Sequence, residues 1–255
     1  MLSGSFVVVT GGTAGIGRAC AEALLEAGAA GVLVNGRDIA RAENARAEMQ
    51  ARFPAARVAV ATGDVAKPDV AQRVMAAAMR QFGRIDVLVN STGGNDLPRL
   101  LHHTPIDEIP GILERCLFAQ ILCCAAALPY LREARGGTVI NIASDAAKLP
   151  TPGESVIGAA MAGIVMFTRA LAVEGKRDGI RANVLTPSMT SGTEHYEKIM
   201  ADPFCGRMFG KAAKQAALGV VAKEELAGLA VFLASPAAAK ITGQAISMTG
   251  GISAL

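Results

Sequence analysis

Thr10-Gly11-Gly12-Thr13-Ala14-Gly15-Ile16-Gly17 decides the fold because of what stands on either side of it. Before it, residues 6–9 are a short β-branched apolar run, and after it residues 16–25 carry apolar side chains at helical spacing. The order is strand, glycine turn, helix. Such a turn lets the backbone approach a pyrophosphate, and the helix behind it offers unpaired N–H groups. A tight turn that only lets a helix pack on a strand has the same composition, so the rest of the chain must decide between the two.

Outward from this turn the pattern recurs. Strands are expected at 32–34, 57–61, 85–89, 138–142, 181–185 and 245–248, with helices at 39–53, 69–82, 106–131, 154–175 and 223–234. Strands alternating with helices of this length imply βαβ crossovers, hence an α/β fold: a doubly wound parallel sheet with helices on both faces. The strands are nearly continuous apolar runs, as in sheets buried on both sides. No linker or repeat divides the chain, so one domain over residues 1–255 is expected. Only residues 187–218, rich in Ser, Thr, Met, Lys and Gly, look irregular, and their length marks a lid-like substrate loop.

Composition excludes several classes. Of 255 residues, 51% are hydrophobic, 18% charged and 28 are Gly, which rules out disorder, coiled coil and collagen. The 25 Lys and Arg against 22 Asp and Glu leave +3, and the basic residues are scattered, so nucleic acid is not expected as a partner. Five cysteines, odd in number and without C-x-x-C spacing, fit a reduced cytoplasm. The first ten residues lack a basic leader. The longest apolar run, 117–128, is interrupted by Gln120 and falls short of the ~20 residues of a membrane span, so no membrane is expected either.

Further motifs follow the glycine turn: Gly63-Asp64-Val65, Asn90-Ser91-Thr92-Gly93, Ala127-Leu128-Pro129-Tyr130, Ile140-Asn141-Ile142-Ala143-Ser144, Arg181 with Asn183-Val184, Pro187, Thr242-Gly243-Gln244 and Gly250-Gly251. With these the chain resembles, nearly end to end, the short-chain dehydrogenase/reductase family. The resemblance implies a single Rossmann-type domain. It also implies NAD(P) contacts at Gly11, Gly15, Ile16, Gly17, Arg37, Asp64, Val65 and Asn90, with Asp64 touching the adenine and Asn90 tying strands beside the cofactor.

The resemblance breaks at the chemistry. In that family hydride leaves a carbinol carbon as a tyrosine takes the hydroxyl proton; a lysine lowers the tyrosine pKa, a serine holds the oxygen and an asparagine completes the tetrad. Ser144 matches the serine. The tyrosine position, thirteen residues on, is Ile157; the lysine position, four further, is Met161; the asparagine position, twelve before Leu128, is Cys116. Gly153, Gly158-Ala159-Ala160 and Phe167-Thr168-Arg169-Ala170-Leu171-Ala172 keep the alignment without a gap.

Other candidates are fewer. Tyr196 and His195 lie in the lid, Lys148 follows Ser144 by four, Tyr130 matches a scaffold position, and the tandem His102-His103 lacks a third ligand, so no metal is expected. Thr92 replaces a small alanine, Ser188 a glycine, and Met161 the lysine that would hold the nicotinamide ribose. This chain is therefore expected to bind NAD(P) weakly or not at all. Arg37 would select NADP, although an arginine beside Asp38 at a helix start is equally ordinary.

The reading is a noncatalytic subunit supporting a paralogous, tetrad-bearing subunit in a hetero-oligomer, expected to be a tetramer, whose NAD(P) and small-molecule substrate sit in the partner. The residues leave open an active oxidoreductase with a nonstandard proton relay, and a nucleotide- or acyl-binding regulatory protein. The helices at 116–128 and 158–172, small residues among larger apolar ones, are the expected contact, and 242–255 a second one.

Overall fold

The computed structural model describes residues 2–93 and 96–254. The strands are β1 (Phe6–Thr10), β2 (Gly31–Gly36), β3 (Arg57–Thr62), β4 (Val87–Asn90), β5 (Gly137–Ile142), β6 (Ile180–Pro187), β7 (Thr190–Ser191), β8 (Val221–Ala222) and β9 (Ala245–Met248). Seven of them form one parallel sheet in the order β3-β2-β1-β4-β5-β6-β9, and β7 pairs with β8 apart from it. The order reverses between β1 and β4, where Val7 pairs with Val32 on one side and Val87 on the other. Ligand crevices of open α/β sheets lie beyond the strand C-termini at such a reversal.

The helices are α1 (Gly15–Glu26), α2 (Ile39–Arg52), α3 (Pro68–Phe82), α4 (Ile109–Leu113), α5 (Ala119–Glu133), α6 (Ser155–Gly175), α7 (Glu194–Ala201), α8 (Pro203–Ala213) and α9 (Lys223–Ala234). One sheet face packs on Cys20, Leu24, Met49, Leu226 and Leu233 of α1, α2 and α9. The other packs on Val74, Met75, Cys123, Leu131 and Leu171 of α3, α5 and α6. Between them runs a buried polar ladder: the Thr10 hydroxyl donates to Asn90 Oδ1 (2.9 Å), Asn90 Nδ2 to Asn141 Oδ1 (2.9 Å), and Asn141 Nδ2 to Thr168 Oγ1 (2.8 Å).

Two expectations need correction. The helix expected at 106–131 is continuous but not uniform: a 3-10 turn and α4 lead into a π-helical turn at Glu114–Phe118, with Cys116 in its middle, and α5 follows directly. Residues 187–218 are not irregular. Thr193 and Asp202 accept backbone N–H bonds that start α7 and α8, Pro203 opens the second, and Met189, Cys205 and Phe209 form their own small core.

The long helices carry two further features. Residues Ile106–Glu133 and Ser155–Asp178 are each, by length and composition, long enough to cross a membrane, a test that the core helix of a soluble protein passes as well. Gln120 does not break the first because it is fully buried and donates to Ile142 O (2.8 Å) and Thr92 O (3.1 Å). Within α6 the small residues divide: Ala160 is fully buried and a Cβ on Gly163 would meet Leu117 at 3.1 Å, whereas Ala159, Ala162 and Ala170 are exposed. The large hydrophobic side chains that α6 and the turn before α5 leave exposed are Phe118, Met166 and Val173. The C-terminal segment folds back on residues 216–219, where Leu218 N donates to Gly250 O (3.0 Å); Leu255 lies outside the described residues.

Candidate functional site

A cleft of about 380 Å³ runs across the C-terminal ends of the strands from the glycine turn to α6. Its first part is backbone. Gly11 sits at φ +66, and a Cβ there would stand 2.4 Å from Ser91 O, so only glycine lets the turn lie this close to the end of β4. Gly17 does not line the cleft; its missing Cβ would stand 2.3 Å from Gly11 O, so it lets α1 press against the turn. Ala14 gives α1 no side-chain cap, and no acid occupies the first turn, so the N-terminal N–H groups remain suited to an anion.

The next part is polar. Asn35 Nδ2 donates to Ala61 O (2.9 Å) and Gly63 O (3.1 Å), fixing the ends of β2 and β3 where Arg37, Arg41, Asp64 and Val65 line the cleft. Asn90 lies beneath the lining, in the ladder. Thr92 lines the cleft with its hydroxyl buried and not hydrogen-bonded to any described residue. The phosphate turn, the two arginines and Asp64-Val65 thus fit a dinucleotide's adenosine and pyrophosphate. At the nicotinamide end Met161 offers no donor.

The inner end brings Cys116, Ser144, Ile157 and Met161 to one wall. Ser144 Oγ accepts from Ala146 N (3.2 Å), capping a 3-10 turn. Cys116, Ile157 and Met161 instead pack with Ile112, Ala143 and Val184 in a single apolar cluster. Lys148 is turned away toward Ser247 and Asp145, outside the lining. Tyr130 packs against the α3–α5 core, and His102 and His103, both exposed, lie with ring centroids 4.0 Å apart and tilted by 59°. Among the described residues no cluster of His, Cys, Asp and Glu could hold a metal.

Charge gathers on the walls around this apolar patch, with no local sequence pattern to announce it. Arg115 binds Asp96 through two nitrogens, at 2.6 and 3.2 Å. His195 lines the cleft with a buried, unbonded Nδ1; burial and Lys198 hold its pKa below the ordinary range, partly opposed by Asp96. Glu154, at the start of α6, is mostly buried, and desolvation with help from Asp145 raises its carboxyl to about 7. An acid at a helix start looks like a solvated first-turn residue. Next to it in the chain, Gly153 lies against α8, with Phe204 3.1 Å from its Cβ position.

Comparison with known proteins agrees with the geometry. The short chain dehydrogenase family profile matches residues 5–203. The chain is 33% identical over 252 residues to a 2,3-dihydroxy-2,3-dihydro-p-cumate dehydrogenase of Pseudomonas putida, covering 98% of this chain and 95% of that one. It is 32% identical over 265 residues to a D-beta-hydroxybutyrate dehydrogenase of Cupriavidus necator, covering 98% of each. Among solved structures it superposes with a TM-score of 0.89 on L-sorbose reductase from Gluconobacter frateurii, in complex with NADPH and L-sorbose, at 28% identity over 98% of this chain and 97% of that one. Fold, glycine turn and sequence relatives agree: the chain belongs to the short-chain dehydrogenase family.

Proposed function

We propose that this chain is a noncatalytic subunit of an alcohol or hydroxyacyl-CoA dehydrogenase assembly, supporting a paralogous subunit that carries the tetrad. One observation carries the reading: the positions of three tetrad members converge on Ser144, yet hold Cys116, Ile157 and Met161 packed as one apolar cluster. Neither aliphatic side chain can take or give a proton, and a positioned base is worth about 10²–10⁴-fold in rate. The run Ile157-Gly158-Ala159-Ala160-Met161 and the stretch Thr186-Pro187-Ser188-Met189-Thr190-Ser191-Gly192-Thr193 resemble the noncatalytic subunit of a heteromeric 2-(hydroxy(phenyl)methyl)succinyl-CoA dehydrogenase of anaerobic toluene degradation.

A dinucleotide, where bound, supplies or accepts the hydride. In this chain Gly11, Gly15 and Ile16 would hold its pyrophosphate, Asp64 and Val65 its adenine, and Arg37 a ribose phosphate, with affinity lowered by Met161 and Thr92. The exposed Phe118, Met166 and Val173 are the proposed contact with the paralogue. A cytoplasmic location belongs to the same proposal, supported by five cysteines buried as thiols.

A second reading, an oxidoreductase with a nonstandard relay, rests on Glu154 and His195 in the same cleft. Assay of the purified chain with NAD(H) and NADP(H), alone and co-purified with paralogues, separates the two. Activity found only in the mixed assembly supports the first; activity of the isolated chain that Glu154→Gln abolishes supports the second.

A further inference from the structure

At the adenosine end of the cleft one ion pair crosses from the sheet layer to the lid. Arg41, in the first turn of α2, places Nη2 2.5 Å from Oε1 of Glu194, the first residue of α7, across 153 positions of sequence. Asp38, the carboxylate nearest in sequence, is engaged elsewhere, because its Oδ1 accepts the Arg41 backbone N–H at 2.9 Å to cap α2. Arg37 and Arg41 both line the cleft where β2 ends, the place at which dinucleotide folds meet the ribose next to adenine. On the lid side, Thr193 caps α7 by accepting from Tyr196 N (3.1 Å), and its methyl lies 3.8 Å from the Cβ position of Gly15 in the phosphate turn. Glu194 therefore stands at the joint where the lid helix meets the phosphate turn.

We propose that Glu194 is a specificity-determining residue for the dinucleotide, occupying Arg41 until a ribose 2′-phosphate displaces it and releases the start of α7. The proposal rests on the dinucleotide reading of the cleft and is independent of the missing proton relay. A phosphate monoester carries nearly two negative charges and three acceptor oxygens, against one charge on a carboxylate, so it outcompetes Glu194 for the guanidinium. A 2′-hydroxyl carries no charge and leaves the pair closed. The pair is half-exposed on both sides, at 50% and 57%, so it exchanges readily and works as a bias, not a lock.

The test uses the full chain with two probes that reach only this end of the cleft, adenosine 2′,5′-bisphosphate and AMP, by titration calorimetry. Glu194→Gln should tighten the bisphosphate about two- to fivefold, the range of an exposed pair, and leave AMP unchanged. Arg41→Ala should remove the preference for the bisphosphate that Arg41 provides. In the wild-type chain, saturating bisphosphate and not AMP should speed amide exchange in residues 195–201. Bisphosphate binding that ignores Glu194→Gln, or an equal change for both probes, overturns the role of Glu194 alone. Failure of both probes to bind at millimolar concentration overturns the dinucleotide reading with it.

Discussion

Replacing Glu154 by Gln should stabilise the protein at alkaline pH and change it little in acid. Burial lifts the Glu154 carboxyl from its ordinary value of 4.5 to about 7. Between those values the folded chain keeps a proton that the unfolded chain has released, so stability falls as pH rises through this window and stays lower above it. At about 1.4 kcal/mol per pH unit, the accumulated loss is roughly 3 kcal/mol. For a domain of this size that corresponds to roughly 6–12 °C in Tm. Glutamine keeps the shape and has no proton to lose, so its advantage over the wild type should open between about pH 5 and pH 7.5 and then level off. Thermal or urea unfolding of both proteins at about pH 5 and pH 8.5, at matched concentration because association adds its own stability, measures the effect. A difference of the same size at both pH values would refute the reasoning.

Three further outcomes are expected. The isolated chain should turn over no alcohol with either dinucleotide; measurable turnover that vanishes in Ser144→Ala would contradict the noncatalytic reading. Gly11→Ala should destabilise by more than about 1 kcal/mol and abolish AMP binding, since its Cβ would lie 2.4 Å from Ser91 O at φ +66; calorimetry and denaturant titration check both. Met166→Asp, on an exposed site, should leave the monomer folded and dissociate the assembly in native mass measurements. A stable homotetramer that ignores every co-expressed paralogue would sink the hetero-oligomer proposal.

The sheet was legible because its strands are apolar runs and its glycine turn is local: residues 6–17 suffice to read β1, the turn and α1. The positions of Ser144, Ile157, Met161 and Cys116 were legible through fixed spacing on a fold whose register holds. The π turn at Glu114–Phe118 left no trace, because Glu-Arg-Cys-Leu-Phe suits an α-helix equally well and only packing selects the wider turn. Residues 187–218 misled because α7 and α8 are short, so their apolar spacing spans only two or three turns, and their starts are set by the caps at Thr193 and Asp202. Glu154, Arg41 and Asp96 escaped notice because their partners, or the layers that bury them, lie 19 to 153 positions away. No local pattern records such distances.

The apolar wall beside Ser144 also constrains which changes the chain can accept next. A lysine at Met161, now 8% exposed, would enter a cluster whose members are all apolar, and a buried ammonium without a partner is costly. A tyrosine at Ile157 would have to displace neighbours already in contact. Either change alone should lower stability, and on the noncatalytic reading neither alone should give turnover, because the two groups act as a unit. On the noncatalytic reading proposed above, a route to proton transfer at this wall would therefore pass through chains less stable than the present one.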